Sequence, residues 1–258
     1  MHYFFQSIIK PYVTQKKYTR FCEIGAGQGT HTDRLLQTNP SQYTIIDPCV
    51  NCNLTNKYKN ASNVVVQKGI SLEVLPKLQN GFDCILIDGD HNWHTVYNEL
   101  TIIEKKNLLN AGGTIFLHDV CWPYGRRDMY YSPSQIPLQY RYPHKQKGVI
   151  WGEKNLAEKD GTNAGYFNAE VEGGPGNGVL TAIEDFLKAS QNKYLFFVCK
   201  DQHGLGVLFK PSTFFDNVFF FQWKYVSYYK KLVGKAKHYF QHPAKLPGMI
   251  RRKLNIPK

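Results

Sequence analysis

The sequence lacks several features that would place it outside the ordinary globular proteins. None of its apolar runs approaches the roughly 20 residues that a membrane-spanning helix needs. Internal repeats and low-complexity segments are absent, which excludes solenoids and disorder throughout the chain. The N-terminus has no basic start followed by a long apolar run and a small-residue cleavage site, so we expect mature sequence and a cytoplasmic location.

Acidic residues are scarce at the C-terminal end of the chain. The net charge is +12, and residues 211–258 carry ten Lys or Arg against the single acid Asp216. We expect this basic, aromatic extension to lie on an anionic membrane surface or, equally, to pack on its own domain or on a second subunit in a homo-oligomer. No base-reading motif accompanies the charge, so nucleic acid is not an expected partner.

Apolar runs alternate with helical segments over the first half of the chain, which is typical of a parallel sheet with helices on both faces. The glycine pair 112–113 precedes the fifth run, and two later runs joined by DQHG predict a closing hairpin. Between them, residues 120–178 lack clear periodicity and predict a lid or binding region. The predicted strands cover Arg20–Ile24, Tyr43–Asp47, Asn63–Gln67, Asp83–Asp88, Thr114–His118 and the hairpin runs 194–200 and 205–210.

A glycine-rich loop follows the first predicted strand and precedes a helix. Gly25, Gly27 and Gly29 form a G-x-G-x-G pattern, where glycine lets the backbone turn sharply and approach a ligand. Glu23 stands two residues before the loop, and a carboxylate there suits a cation better than a phosphate. Asp47, at the end of the second strand, is placed to accept hydrogen bonds from two ribose hydroxyls. A ligand with a ribose and a positive charge fits this pattern.

With these motifs, the sequence resembles the class I S-adenosylmethionine-dependent methyltransferases over roughly residues 18–210. The resemblance implies an α/β, Rossmann-like fold with a mostly parallel seven-stranded sheet, helices on both faces and a terminal antiparallel hairpin. It also implies that the cofactor lies on Gly25, Gly27, Gly29 and Asp47, with Glu23 and Asp88 beside it. Ser71 falls where the family contacts adenine, although Ile70 departs from its common Asp. We therefore expect a methyltransferase domain over residues 1–210, with a substrate-lid insertion at about 120–178, and a separate extension over 211–258.

Polar side chains follow the fourth and fifth predicted strands. Asp88 ends one strand and Asp119 follows the other, so both carboxylates should meet at one edge of the sheet and could hold a divalent cation, Mg²⁺ being favoured. His91 is the expected general base, since its ordinary pKa of about 6.5 suits proton transfer near neutral pH. His118 either binds the metal or orients its neighbour. The I-D-G-D-H and L-H-D motifs are similar to those of macrolide-sugar O-methyltransferases and of the cephalosporin-hydroxylase-like group.

The insertion offers candidate substrate contacts. Trp122 and Tyr124 could present flat faces to a sugar ring, and Arg126 and Arg127 could bind a phosphate or carboxylate, although all four could equally serve structural contacts. The expected function is a metal-assisted O-methyltransferase with a small-molecule or glycan acceptor: a sugar, glycolipid or secondary metabolite. The alternatives are a cephalosporin-hydroxylase-like enzyme on the same fold and a non-catalytic, membrane-associated binding protein.

Overall fold

A computed structural model describes residues 1–49, 53–213, 216 and 220 of the chain. The chain divides into two compact units, Met1–Phe214 and Phe215–Lys258. The predicted boundaries at 120, 178 and 210 stay predictions, and the predicted membrane contact of the basic extension falls almost entirely outside the described residues. Within the described ranges, no helix is both long and apolar enough to cross a membrane.

A short 3-10 turn, His2–Phe4, and a π-helical stretch, Phe5–Ile9, lead into the first regular helix. The helices are α1 Lys10–Gln15, α2 Thr30–Leu36, α3 Leu54–Lys57, α4 Ser71–Val74, α5 Trp93–Lys105 and α6 Val179–Ala189. The strands are β1 Arg20–Ile24, β2 Gln42–Asp47, β3 Val64–Lys68, β4 Phe82–Ile87, β5 Leu109–His118, β6 Met129–Tyr130, β7 His144–Gln146, β8 Phe167–Ala169, β9 Leu195–Cys199 and β10 Leu205–Phe209.

Seven strands form the main sheet in the order β3-β2-β1-β4-β5-β10-β9. The first five pair in parallel, whereas β10 runs antiparallel to both of its neighbours. This is the predicted Rossmann-like fold with its terminal hairpin, and the prediction is confirmed. Because β1 and β4 are adjacent central strands, their carboxyl ends lie side by side, with Ile24 paired to Ile87. Open sheets of this kind bind ligands beyond those strand ends.

The fifth strand is longer than predicted. It begins at Leu109 rather than Thr114 and passes through Gly112, whose φ of +76° only glycine adopts without strain. Strand pairing continues on both sides of this point, although the register with β4 shifts between Phe82 and Cys84. The glycine pair therefore bends the strand without opening it, and His118 still ends the strand as predicted.

Helix α5 connects the candidate site to the core. Val96, Leu100 and Ile103 recur at helical spacing and are buried against the sheet and α6. Asn92 caps its first turn, because its Oδ1 accepts a hydrogen bond of 2.8 Å from the Thr95 amide. The cap fixes where the chain leaves the turn after β4.

The insertion contains regular structure that the sequence did not reveal. Strands β6, β8 and β7 form a three-stranded antiparallel sheet. Asp128 fixes this sheet to the main domain, because its Oδ1 accepts hydrogen bonds from the amides of Trp93 and Gly178, each 2.7 Å long. Burial raises the pKa of Asp128 to about 7, although these two hydrogen bonds act to lower it. Strands of two or three residues are too short to show a period, so the sequence of this segment does not reveal them. Its role as a lid or binding region stays a prediction.

Candidate functional site

The glycine loop makes a close backbone contact with the end of β4. Gly25, Gly27 and Gly29 have φ values of +82°, +54° and +74°, in the left-handed region that glycine favours. A Cβ added to Gly25 would lie 2.3 Å from the Cα of Gly89, so this position tolerates no side chain. A Cβ on Gly27 would meet no atom within 4 Å. The loop is thus packed on one side and has space for a ligand on the other.

Asp47 holds the loop from the end of β2. Its Oδ2 accepts a hydrogen bond of 2.8 Å from the Gly27 amide, and its Oδ1 accepts one of 2.7 Å from the Cys49 amide. Carboxylate oxygens have further lone pairs, so these bonds leave capacity for ribose hydroxyls. The predicted cofactor contacts of the loop and of Asp47 are thereby brought together, and their role stays a prediction.

Glu23, two residues before the glycine loop, is buried inside the domain. It is only 1% exposed, and its Oε2 accepts hydrogen bonds from Thr32 at 2.5 Å and Tyr43 at 2.7 Å. Burial raises the pKa of Glu23 to about 7, although both hydrogen bonds oppose the shift. This arrangement joins β1, α2 and β2. The predicted place of Glu23 beside the cofactor stays a prediction.

A second buried carboxylate lies near the predicted adenine contact. Ser71 begins α4 and is 8% exposed, while Glu99 on α5 is fully buried. Burial raises the pKa of Glu99 to about 8, and the nearby Ser71 hydroxyl opposes that shift. Sequence reasoning missed Glu99. Its spacing of four residues from Thr95 and from Ile103, both buried, was the available signal.

Four side chains converge beyond β4 and β5. His91 Nε2 lies 2.5 Å from Asp119 Oδ2, and His118 Nδ1 lies 3.1 Å from both Asp88 Oδ1 and Asp119 Oδ2. The backbone of Asp119 has a φ of +57°, uncommon for a residue with a side chain, which turns it back toward the cluster. The predicted catalytic and metal residues thus form one group of two acids and two imidazoles.

Mutual hydrogen bonding sets the charges of this cluster. Burial alone would raise the pKa of Asp119, but His118 and His91 hold it far below its ordinary value. Burial likewise opposes protonation of His118, yet its bonds to Asp119 and Asp88 raise its pKa to about 9. The pKa of His91 is raised by Asp119 against the effect of burial, and that of Asp88 is lowered, mainly by His118. These shifts favour the ionised form of both carboxylates and the protonated form of both imidazoles.

The same residues are suited to a divalent cation. Asp88, His118 and Asp119 can each offer one ligand atom, and the three atoms lie within 4.8 Å of one another. Carboxylate oxygens suit Mg²⁺, and an added imidazole nitrogen also suits Mn²⁺ or Zn²⁺. To serve as a ligand, His118 must lose the proton that its two carboxylate partners stabilise.

Two aromatic side chains of the insertion lie beside His91. Tyr124 and Tyr131 present ring edges to His91 at centroid distances of 5.5 and 6.1 Å. Trp122 lies edge-on to Trp151 at 5.3 Å. The indole nitrogen of Trp122 is buried and has no hydrogen-bond partner among the described residues. Of these four rings, Trp122 and Tyr124 are the substrate contacts predicted from the sequence, and that role stays a prediction.

The two arginines of the insertion are engaged in contacts within the protein. Arg126 forms two hydrogen bonds to Glu184, of 2.6 and 2.7 Å. Arg127 is fully buried and donates to the backbone carbonyls of Ala169 and Lys154. Both arginines therefore make structural contacts, which was the alternative to substrate binding. We do not propose them as substrate contacts.

The N-terminal segment covers the cluster from one side. The Met1 amine lies 3.4 Å from Asp88 Oδ2, and the Phe4 ring lies 6.4 Å from that of His118. Phe4 and Phe5 are buried. Sequence reasoning had assigned this segment no part in the site.

Part of the chain is similar to a known protein family and to a viral protein. Residues 22–120 match a family model described as a methyltransferase domain. An uncharacterized protein of Acanthamoeba polyphaga mimivirus is 30% identical over 137 residues, which cover 48% of this chain and 58% of that protein. The chain thus spans little more than half of that relative's length.

Solved structures with similar folds have low sequence identity. An S-adenosylhomocysteine-bound methyltransferase of Podospora anserina is 14% identical with a TM-score of 0.49, covering 78% of this chain and 75% of that one. The N-methyltransferase NodS of Bradyrhizobium japonicum, in complex with the same ligand, is 14% identical with a TM-score of 0.44, covering 79% and 85%.

The sheet order and the glycine loop define a Rossmann-like methyltransferase fold. Residues 22–120, which match the methyltransferase-domain model, lie within this fold.

Proposed function

We propose that the protein is an S-adenosylmethionine-dependent O-methyltransferase that acts on a hydroxyl of a sugar, glycolipid or secondary metabolite. The observation that carries the proposal is the convergence of Asp88, His91, His118 and Asp119 beside the glycine loop. A hydroxyl is a poor nucleophile unless its proton is removed during attack, and this cluster supplies both carboxylates and an imidazole for that task. An acceptor nitrogen, already nucleophilic when neutral, would have less need of it.

The cofactor is proposed to bind at the open side of the loop. Gly27 leaves space for the methionine part of the cofactor, and Asp47 accepts hydrogen bonds from the ribose hydroxyls. Ser71, at the start of α4, is the proposed neighbour of the adenine. This placement directs the reactive methyl group toward the carboxyl ends of β4 and β5, where the cluster lies.

A divalent cation would be held by Asp88, Asp119 and His118. Such a cation, when bound, lowers the pKa of an acceptor hydroxyl and orients it. Asp88 and Asp119 provide the negative charge that binding requires, and the depressed pKa values of both acids keep them ionised at neutral pH. A cephalosporin-hydroxylase-like reaction would use the same fold, and oxygen consumption in place of methyl incorporation would identify it.

His91 is proposed to take the proton. In the reaction, the acceptor oxygen forms a bond to the methyl carbon while the bond from that carbon to sulfur breaks. The hydroxyl proton passes to His91 Nε2, and S-adenosylhomocysteine leaves as a neutral thioether. His91 must be neutral to act in this way, so its Nε2 has to be released from Asp119 before each turnover.

Transfer of a labelled methyl group tests this proposal. Purified protein, S-adenosylmethionine labelled in the methyl group and a panel of methyl glycosides, catechols and amines should yield label on hydroxyl oxygen. Chelation of divalent cations should abolish transfer, and Mg²⁺ or Mn²⁺ should restore it. His91→Ala should lose at least about a hundredfold in turnover, in the range of a general base, and keep its affinity for S-adenosylhomocysteine.

His94→Ala is the matched control, because His94 lies on α5 three residues further along and stacks on Tyr140 at 4.9 Å. It should keep wild-type turnover. Transfer to amine nitrogen alone, or wild-type turnover by His91→Ala, would contradict the proposed mechanism.

A further inference from the structure

His31 lies directly beyond the glycine loop and has an unused hydrogen-bonding atom. It is the second residue of α2, which begins immediately after Gly29. Its Nδ1 is buried, and no hydrogen-bond partner for it exists among the described residues. Leaving a buried polar atom unsatisfied typically costs about 1–3 kcal/mol, so such atoms in native proteins call for an explanation. A ligand group would provide the missing partner.

Basic groups from two elements surround this imidazole. The His2 ring lies 6.3 Å from it, and Arg34, one turn further along α2, lies 3.1 Å from His2 Nε2. The Phe5 ring closes another side at 6.3 Å. Burial is the main cause that lowers the pKa of His31 to about 4. The Met1 amine, Arg34 and His2 lower it further, whereas Asp88 raises it. The ring is therefore neutral at pH 7, and the permanent positive charge of Arg34 acts on it, which suits an anionic ligand group.

The cofactor of the proposed function carries a single anionic group, the carboxylate of its amino-acid end. We propose that His31 binds this carboxylate through Nδ1, with Arg34 contributing long-range attraction. The inference rests on the proposed function, because it concerns how the same cofactor is held. In the proposed function the amino-acid end of the cofactor lies over Gly27, which precedes His31 by four residues in the chain. His31 would thus distinguish the full cofactor from nucleosides that lack the amino acid.

Calorimetric titration with two ligands tests the inference. S-adenosylhomocysteine contains the carboxylate, whereas 5′-methylthioadenosine shares the adenosine and the sulfur but lacks the amino-acid group. In His31→Ala the affinity for S-adenosylhomocysteine should fall about tenfold or more, as expected for a hydrogen bond to a charged group. The affinity for 5′-methylthioadenosine should stay within about twofold of wild type. His31→Gln, which keeps a side-chain donor, should recover part of the loss.

His144→Ala is the matched control, since His144 lies in the small sheet of the insertion and bonds to the Tyr142 carbonyl. It should bind both ligands as wild type does. Equal losses for both ligands in His31→Ala would assign His31 a structural role and overturn the inference, as would unchanged affinity for both. If the wild-type protein bound neither ligand, the proposed function itself would fail. If the wild-type protein binds S-adenosylhomocysteine and His31→Ala changes the affinities for both ligands equally, only the proposed carboxylate contact is overturned.

Discussion

Replacing Glu99 with Gln should change how the stability of the protein depends on pH. Glu99 is fully buried, and its pKa in the folded state is about 8 against an ordinary value of 4.5. Between these values the unfolded chain ionises Glu99 while the folded protein keeps it neutral. The contribution of Glu99 to stability is therefore most favourable below pH 4.5. It falls as the pH rises toward 8, because the Glu99 side chain then binds fewer protons in the unfolded state than in the folded state.

The size of the effect follows from the two pKa values. A pH of 7 is about 2.5 units above the pKa of the Glu99 side chain in the unfolded chain. At 1.36 kcal/mol per unit, this difference corresponds to roughly 3 kcal/mol of lost stability. Glu99→Gln removes this loss and keeps the shape of the side chain. Relative to wild type, the variant should thus gain on the order of 3 kcal/mol between pH 4.5 and pH 7.

Urea denaturation at several pH values between 4.5 and 8 measures the difference. Glu23 and Asp128 also titrate in this range, with pKa values of about 7, but they are present in both proteins and their contributions cancel. Glu73→Gln, an exposed substitution on α4, is the control and should follow the wild-type curve. A constant stability difference between Glu99→Gln and wild type across this range would refute the reasoning.

Four further substitutions test the loop, the insertion and the cluster. Gly25→Ala should lower the melting temperature strongly in calorimetry, because its Cβ would lie 2.3 Å from the turn after β4. Gly27→Ala should cost only about 1–2 kcal/mol of backbone strain and mainly weaken S-adenosylhomocysteine binding. Equal melting temperatures of the two variants would contradict this. Arg126→Ala breaks a half-exposed ion pair and should cost less than about 1 kcal/mol in urea unfolding, with the acceptor KM unchanged; a raised KM would restore its predicted role in substrate binding. Asp119→Asn should weaken Mn²⁺ binding, followed by titration, at least about tenfold; unchanged affinity would exclude it as a ligand.

Much of the main sheet could be predicted from the sequence because its central strands are continuous apolar runs. Cys84 to Leu86, for example, are fully buried, and such a run between turn residues is typical of a parallel strand. The insertion was harder, because β6 has only two residues and its position depends on Asp128 contacting Trp93 and Gly178. Long-range hydrogen bonds of this kind leave no local period in the sequence.

In the candidate site, too, the sheet topology predicts some contacts, whereas long-range side-chain contacts could not be predicted. Asp88 and Asp119 could be placed together because parallel strands bring their carboxyl ends to one edge of the sheet. The partner of Arg126, in contrast, is 58 residues away on α6, and nothing near the arginine predicts it. The burial of Glu23 depends on Tyr43 of the neighbouring strand, which only the register of β1 and β2 reveals.

A crystal structure of the protein with S-adenosylhomocysteine tests the central claim most directly. We expect electron density for the ligand over Gly27, ribose hydroxyls within hydrogen-bond distance of Asp47, and the sulfur facing Asp88 and Asp119. Density for the ligand at another surface, with Asp47 still bound only to the amides of Gly27 and Cys49, would contradict the account.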